Sequence, residues 1–283
     1  MARLFGIIGN RPDLTARVLA SEADALRARS AGSAPNQAPL GWGIGFFQGG
    51  EVLMRRRPID ERTELDVASL AADVRADLLL GHVRYATVGA LRTENTHPFR
   101  YRQWLFAQTG TVPEFERIRD RVVASVPDFL RSGIRGETDA EAVFHVFLSF
   151  LHDGGLLGDV TADPAVVRDA LRSSLAVIDG MTVEVGAEAA KVNLLVSNGD
   201  RIIAVHRSDA PMRLRIYSGK VDAELIMGDD AHLRRKVPEI GRMHFTVVAS
   251  DFDDAVPNGR WKAVADSALV TMSRDDDPRV EAL

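Results

Sequence analysis

The sequence begins with Met1-Ala2-Arg3-Leu4-Phe5-Gly6-Ile7-Ile8-Gly9, the stretch that most strongly indicates the fold of the chain. Residues 4–8 are apolar apart from one glycine, which predicts a β-strand buried on both faces. The strand begins at the chain terminus, a place that is usually frayed and exposed. We therefore expect a function that requires the terminus there, with no signal or transit segment ahead of it.

The composition restricts the classes of function. A hydrophobic content of 46% and a charged content of 27% over 283 residues are ordinary for a soluble globular protein. The net charge of −5 argues against a nucleic-acid partner or an anionic membrane surface. No run reaches the roughly 18 apolar residues of a membrane span. The absence of cysteine excludes disulfides and thiolate chemistry and is compatible with the cytoplasm, the location that we expect.

Two features of the N-terminal half point to close approach by a ligand or by backbone. Residues 29–39 are loop by composition, and the prediction is a loop near the ligand end or, almost equally, a plain mobile connection. The stretch Gly41-Trp42-Gly43-Ile44-Gly45 then begins a hairpin that turns at Gln48-Gly49-Gly50. Its alternate glycines leave one strand face bare, which suits either a ligand or tight packing against another element.

Arg84 closes a second apolar run, residues 78–83, which predicts another strand buried on both faces. A cation at the end of a buried strand requires a partner. A substrate carboxylate would provide one, and so would a structural Asp or Glu. From spacing alone the structural partner is the favoured interpretation.

Gly136-Glu137-Thr138-Asp139-Ala140-Glu141 is the clearest local signal in the chain. Thr138 and Glu141, three residues apart before an apolar helical pattern, predict a capping box. Thr138 and Asp139 would then lie at a helix N-terminus, where backbone N–H groups are exposed and anions are favoured.

The last third of the chain reads mostly as strands. Residues 192–196 and 201–205 predict a hairpin, with Asn198-Gly199 supplying the residues with φ > 0. Residues 274–278 read as a solvated tail, so that residues 1–283 form a single domain whose last ten residues or so are a tail. Helices and strands fall in paired blocks and do not alternate as βαβα. The pattern predicts an α+β fold of two stacked antiparallel sheets between helical layers.

These motifs together resemble the class II glutamine amidotransferases, the Ntn-type glutaminases, and especially their short stand-alone bacterial members. The resemblance covers most of the chain. It rests on the order of several weak motifs: Arg3-Leu4-Phe5-Gly6, Gly41-Trp42-Gly43-Ile44-Gly45, Gly81-His82-Val83-Arg84-Tyr85-Ala86-Thr87, Asn95-Thr96-His97-Pro98-Phe99, Phe106-Ala107-Gln108-Thr109-Gly110-Thr111, Gly136-Glu137-Thr138-Asp139-Ala140-Glu141 and Val248-Ala249-Ser250. It implies the four-layer αββα sandwich of Ntn hydrolases.

The resemblance also implies roles for individual residues. In this family an N-terminal cysteine, exposed by removal of Met1, is the nucleophile and its α-amine is the base; here that position is Ala2. The arginine for the substrate α-carboxylate matches Arg84, and the acid for the α-amine matches Asp139. The oxyanion donors fall on Thr109, where the family has asparagine, and on Gly110. The remaining positions implied are Gln108, where the family has histidine, and the substrate-binding Thr138, Trp42 and Gly43.

Three hypotheses follow. The favoured one is a catalytically inactive relative, a pseudoenzyme, that binds L-glutamine, a γ-glutamyl compound or another amino acid through Arg84 and Asp139. The second is an active glutaminase or γ-glutamyl amide hydrolase in which the cysteine has been engineered to alanine, which leaves Gln108 and Thr109 unexplained. The third is an interaction module for a protein partner, with Arg84 and Asp139 forming an internal ion pair. No cofactor is implied, and the histidines show no metal-binding spacing, so no metal site is expected.

Overall fold

The computed structural model of the protein describes residues 3–29, 40–60, 64–85, 88–231, 235, 240–250 and 260–283. Two of the predicted features lie outside these residues. They are Ala2 at the expected nucleophile position and nearly all of the loop predicted over residues 29–39.

The strands of the described residues form two stacked antiparallel sheets and one short pair. The first sheet runs, from edge to edge, through β13 (Lys262–Ala263), β11 (Met212–Ser218), β12 (His244–Ser250), β1 (Arg3–Gly9), β6 (Leu78–Arg84), β3 (Leu40–Gln48) and β4 (Glu51–Asp60). The second runs through β15 (Arg279–Ala282), β14 (Ala268–Met272), β10 (Ile202–Arg207), β9 (Lys191–Ser197), β8 (Trp104–Thr111) and β7 (Phe99–Tyr101). The short pair is β2 (Ala28–Arg29) with β5 (Glu64–Leu65).

Strand β1 lies in the middle of the first sheet, as its apolar sequence predicts. All seven of its residues are buried, and it pairs antiparallel with β12 on one side and β6 on the other. Strand β6 is buried along its whole length as well. Both apolar runs are therefore strands that are buried on both faces. Such burial is typical of parallel sheets, whereas these strands belong to an antiparallel sheet.

Helices cover the outer face of each sheet. Those in the described residues are α1 (Thr15–Ser21), α2 (Ala23–Leu26), α3 (Val67–Leu70), α4 (Phe115–Ser125), α5 (Asp128–Arg131), α6 (Asp139–Asp153), α7 (Pro164–Glu184) and α8 (Gly219–Met227). Helices α1, α2, α3 and α8 pack on the first sheet, and α4 to α7 pack on the second. A third apolar cluster fills the space between the sheets, with Leu4, Leu80 and Leu105 among its members. The predicted four-layer α+β sandwich is confirmed.

Helix α6 is fixed on β8 by two aromatic contacts. The rings of Phe106 and Phe144 stack with centroids 5.2 Å apart, and Trp104 meets Phe147 edge-on at 5.6 Å. Such pairs contribute about 0.5–1.5 kcal/mol beyond the burial of their area. Residue numbers rise along the helix as they fall along the strand, so the N-terminus of α6 lies where β8 ends. This contact brings Asp139 to the edge of the sandwich.

The β9–β10 hairpin is confirmed, but its turn differs from the prediction. Only Gly199 has a positive φ, at 94°, and Asn198 does not share it. The side chain of Asn198 instead accepts a hydrogen bond from the Asp200 N–H and donates one to the Val160 carbonyl. An asparagine that bonds its own loop stabilises the turn without adopting the left-handed conformation.

The segment predicted as a solvated tail is ordered. Arg274 bonds Asp77 Oδ2 at 2.6 Å and the carbonyls of Asp200 and Gly199 at 2.7 and 2.6 Å. Beyond it, β15 pairs with β14 as an edge strand whose four residues are all exposed. The exposure explains why this segment looks like a tail in the sequence.

Candidate ligand-binding site

One edge of the sandwich collects the ends of several strands. In the first sheet β1 begins here, and β6 and β12 end here; in the second sheet β8 ends here. The Oγ atoms of Thr109 and Ser250 lie 3.5 Å apart and join the two sheets at this edge. Arg3 also donates to the Ser250 carbonyl at 3.2 Å. The start of β1 therefore lies next to the predicted oxyanion residue.

Arg84 is buried at this edge, with 4% of its surface exposed. Its guanidinium donates to three consecutive backbone carbonyls, those of Val88 at 2.8 Å, Gly89 at 3.1 Å and Ala90 at 3.2 Å. Burial lowers its pKa, against which the charge of Asp139 acts. Within the described residues Arg84 forms no ion pair with an Asp or Glu, the partner favoured from spacing; a backbone turn provides its acceptors, and Asp139 acts on it only through its charge. These bonds use three of its five N–H donors.

The turn that holds Arg84 is itself tied to the segment before α6. Asn95 donates to the Ala90 carbonyl at 3.0 Å and accepts from the Glu137 N–H at 2.8 Å. Glu137 accepts from the Ala90 N–H at 3.2 Å and from Arg92 at 2.6 Å. The arginine and the helix N-terminus are therefore positioned by one hydrogen-bonded network.

Asp139 is the first residue of α6 and is 5% exposed. Its Oδ2 accepts a hydrogen bond from the Val112 N–H at 2.7 Å. Burial raises the pKa of this carboxyl, while backbone N–H groups at Val112, Ala140 and Asp139 act in the opposite direction. Within the described residues no ion pair joins it to Arg84, so the internal ion pair of the third hypothesis is not formed. The two opposite charges therefore act on each other's pKa without forming an ion pair.

The predicted capping box is half present. Thr138 is the N-cap residue, and its side chain accepts from the Glu141 N–H at 3.2 Å, as expected. The Glu141 carboxylate does not return to the N-cap; it accepts from the N–H groups of Arg135 at 3.0 Å and Gly136 at 2.7 Å. Glu141 therefore stabilises the backbone of the segment that precedes α6 and does not complete the capping box.

Thr109 and Gly110, the predicted oxyanion positions, are consecutive residues near the end of β8. Thr109 is buried, and its hydroxyl faces Ser250. Gly110 has φ = 88°, and a Cβ built on it would lie 2.2 Å from the carbonyl oxygen of Lys191 on β9. Only glycine fits this position, because both the conformation and the contact exclude a side chain.

Trp42 and Gly43 lie on opposite faces of β3. A Cβ on Gly43 would be 2.0 Å from the His97 carbonyl oxygen, so backbone passes directly over its bare face. Trp42 packs instead with the apolar cluster under the first helical layer and donates from Nε1 to Asp60 at 3.1 Å. For Gly43 the tight-packing alternative holds, and the side chain of Trp42 points to the face away from His82 and Gly43.

His82, His97 and Gln108 form a buried polar cluster beside the edge. The rings of His82 and His97 have centroids 4.2 Å apart, and the backbone of Gln108 acts to raise the pKa of His82 against the larger effect of burial. In the described residues no partner is found for His82 Nδ1, either ring nitrogen of His97 or either amide atom of Gln108. Burial lowers the pKa of His82 to about 3 and that of His97 well below its usual value, with nearby Arg84 acting in the same direction. Both imidazoles are therefore neutral in the folded protein.

These neutral histidines predict a loss of stability in acid. An unfolded histidine binds a proton below about pH 6.5, whereas the folded His82 and His97 stay neutral, so the free energy of unfolding falls as pH drops below 6.5. Each contributes up to about 1.4 kcal/mol per pH unit. Buried Asp139 and Glu141, whose pKa values are raised, act in the opposite direction as the pH falls through those raised values.

The variant His97→Phe isolates the effect. Urea unfolding at pH 8, 6 and 5 should show a pH slope between 6 and 5 that is smaller than that of the parent by about 1 kcal/mol per unit. The phenyl ring keeps the aromatic contact with Phe99, whose ring centroid is 4.5 Å away. An unchanged slope would show that His97 becomes protonated in the folded state.

Sequence reasoning assigned no role to Asn95 or Glu137, although both lie in quoted motifs. Their pairing spans 42 residues of chain, and no local pattern signals such a contact. In the described residues no group of three or more His, Asp or Glu side chains is placed to hold a metal ion. In the same part of the chain no helix is long and apolar enough to cross a membrane.

The two stacked antiparallel sheets and a first strand that begins at this edge define an Ntn-hydrolase type of fold. A sequence model of the family "Glutamine amidotransferases class-II" matches residues 1–280, so the chain belongs to that family. A glutamine amidotransferase class-II domain protein from Silicibacter pomeroyi has a similar fold, with a TM-score of 0.59 and 18% identity over 99% of this chain and 98% of that one.

Two relatives are similar in sequence. A probable glutamine amidotransferase of Saccharomyces cerevisiae is 24% identical over 221 residues, which cover 74% of this chain and 60% of that protein. The γ-glutamyl-hercynylcysteine sulfoxide hydrolase of Mycobacterium tuberculosis is 30% identical over 194 residues, which cover 68% of this chain and 69% of that protein. The chain thus spans less than two thirds of the yeast relative.

Proposed function

We propose that this protein binds glutamine or a γ-glutamyl amide and does not hydrolyse it. The observation that carries the proposal is the pair Arg84 and Asp139. Both are buried at one edge of the sandwich, both are held by backbone groups, and within the described residues no ion pair joins them. An α-amino acid carries a carboxylate and an ammonium on one carbon, and it would meet both charges at once.

The electrostatics of Asp139 favour an ammonium ligand. Burial raises the pKa of this carboxyl, because the ionised form lacks the solvation that water would provide. A bound ammonium would place an opposite charge in direct contact with it, which Arg84 does not. Arg84 keeps two N–H donors, on Nε and Nη1, beyond its three bonds to the turn, and either could donate a charge-assisted hydrogen bond to a carboxylate.

Two substitutions support the absence of hydrolysis. Ala2 stands at the position that the family gives to its nucleophile, and alanine has no nucleophilic atom. Thr109 stands where the family has an asparagine oxyanion donor, and the loss of one such donor typically costs about 10²–10³ in kcat. Without a nucleophile only weak residual effects of binding and polarisation remain.

The relatives support the class of ligand. The Mycobacterium tuberculosis relative is named as a hydrolase of a γ-glutamyl compound. The shared element of such compounds and of glutamine is the γ-glutamyl group, which carries the α-carboxylate and α-amine. We infer that this group is what the Arg84 and Asp139 pair binds.

Calorimetric titration with L-glutamine followed by an ammonia assay on the same sample tests the proposal. We expect saturable binding without release of ammonia. Ammonia release at a rate typical of enzymes, about 1 s⁻¹ or more, would contradict it. The variant Ala2→Cys, alone and with Thr109→Asn, shows whether the missing nucleophile is the barrier: we expect ammonia only from variants that carry the cysteine.

A further inference from the structure

A groove with a cavity volume of about 240 Å³ lies at the same edge of the sandwich. It is large enough for a group of several heavy atoms, since a single water needs only about 10–15 Å³ of such space. Its wall is formed by the start of β9, the end of β10 and the chain before β14. The charged residues that line it are Glu188, Lys191, Arg207, Asp209 and Asp266.

The groove adjoins the predicted oxyanion position. Along the β8–β9 ladder Gly110 is paired with Val192 and Thr111 with Lys191. Neighbouring strands lie about 4.8 Å apart, so the groove begins one strand away from Gly110. Asp139 accepts from the N–H of Val112, two residues beyond Gly110. Asp139, Gly110 and Lys191 therefore lie at the same edge of the sandwich.

The groove offers charges of both signs. Lys191 Nζ lies 3.0 Å from Asp209 Oδ2, in a pair whose side chains are 56% and 85% exposed. An ion pair this exposed contributes little, so a ligand can replace it at small cost. The carboxylates of Glu188 and Asp266 also face Lys191 and help to raise its pKa. Arg207 is bound to Asp179 at 2.6 Å behind the groove.

We propose that this groove binds the substituent on the amide nitrogen of a γ-glutamyl amide, and that the substituent is itself amino-acid-like, with an ammonium and a carboxylate. The inference rests on the proposed function, which places the γ-glutamyl group at Arg84 and Asp139. Lys191 would receive the substituent's carboxylate. Asp209, Glu188 and Asp266 would receive its ammonium.

The geometry selects against the simplest ligand. Glutamine has an unsubstituted amide, which would lie at Gly110, so no part of glutamine would enter the groove. A neutral alkyl substituent would enter a charged groove without satisfying any of its groups. A zwitterionic substituent gains charge-assisted hydrogen bonds to Lys191 and Asp209 that the other two cannot form.

Three ligands with the same γ-glutamyl group separate these cases by calorimetry: L-glutamine, γ-L-glutamyl-ethylamide and Nε-(γ-L-glutamyl)-L-lysine. The lysine compound should bind about tenfold more tightly than the ethylamide. The double variant Lys191→Met/Asp209→Asn should reduce that ratio to about threefold or less and leave glutamine affinity unchanged. Lys220→Met/Glu224→Gln removes an equally exposed pair on α8 and should change nothing.

The outcomes distinguish the two proposals. If no γ-glutamyl compound binds, the proposed function fails and the groove has no ligand to receive. If glutamine and the ethylamide bind but the lysine compound binds no better, the groove proposal alone is overturned. The same holds if the preference for the lysine compound survives in the Lys191→Met/Asp209→Asn variant.

Discussion

The variant Arg84→Ala is expected to bind L-glutamine at least about 100-fold more weakly than the parent protein, a loss of about 2.7 kcal/mol. Truncating one partner of a buried, hydrogen-bonded charge pair typically costs about 2–5 kcal/mol of affinity, and the variant would lose the bond between Arg84 and the ligand carboxylate together with the arginine charge. The change also leaves the carbonyls of Val88, Gly89 and Ala90 without their donor. We therefore expect a decrease of about 1–3 kcal/mol in the free energy of unfolding as well.

The two effects are separated by their measurements. Calorimetry gives the affinity, and urea unfolding without ligand gives the stability under the same buffer conditions. Arg84→Lys keeps the positive charge but cannot donate to the three carbonyls of the turn and to the ligand at once, because an ammonium has only three donors, so its affinity should fall between those of the other two proteins. Arg172→Ala removes an arginine on α7 that pairs with Asp169, and should leave binding unchanged. Folded Arg84→Ala protein with full affinity would rule out Arg84 as the carboxylate ligand.

The variant Gly110→Ala should lose about 3 kcal/mol of stability. At φ = 88° an L-residue is strained, and its Cβ would lie 2.2 Å from the Lys191 carbonyl oxygen, which is part of the β8–β9 ladder. Relief of this contact requires β8 and β9 to separate. Because Asp139 bonds the backbone two residues further on, ligand binding should weaken too.

Gly180→Ala is the matched control, with an effect of opposite sign. Gly180 lies inside α7, and a Cβ there meets nothing within 4 Å. Alanine in a helix interior is favoured over glycine by up to about 1 kcal/mol, so this variant should be more stable than the parent. Urea unfolding of both variants checks the pair. A loss of less than about 1 kcal/mol for Gly110→Ala would show that the ladder adapts to the side chain.

Local patterns predicted the elements of this fold well. The apolar runs before Ile8 and Arg84 are buried strands, because apolar β-branched and leucine residues in short runs have few other stable environments. Thr138 caps α6 as its spacing with Glu141 indicates. Predictions that required partners from distant segments were less successful. The Glu141 carboxylate accepts hydrogen bonds from the N–H groups of Arg135 and Gly136 and not from the N-cap residue. Arg84 donates hydrogen bonds to three backbone carbonyls, where an acidic side chain was predicted.

The sequence predicted which residues belong to the site but not how they are arranged in space. Arg84, Asp139 and Gly110 were named from their motifs, and the structure brings them to one edge of the sandwich. Trp42 was named with them, but the alternation of side chains along a strand places it on the face opposite Gly43. Asn95 and Glu137 hold the arginine turn in place and carried no signal of that role.

The sequence by itself determined the chemistry that each position can offer. It placed alanine at residue 2, provided no cysteine, and set the strand and helix periods that lead to two stacked sheets. Only the tertiary structure decided which groups meet. Burial of His82, His97 and Gln108 without partners and the charged groove beside Gly110 both depend on contacts between segments far apart in the chain. Such contacts follow from the packing of whole layers, which no local stretch of sequence encodes.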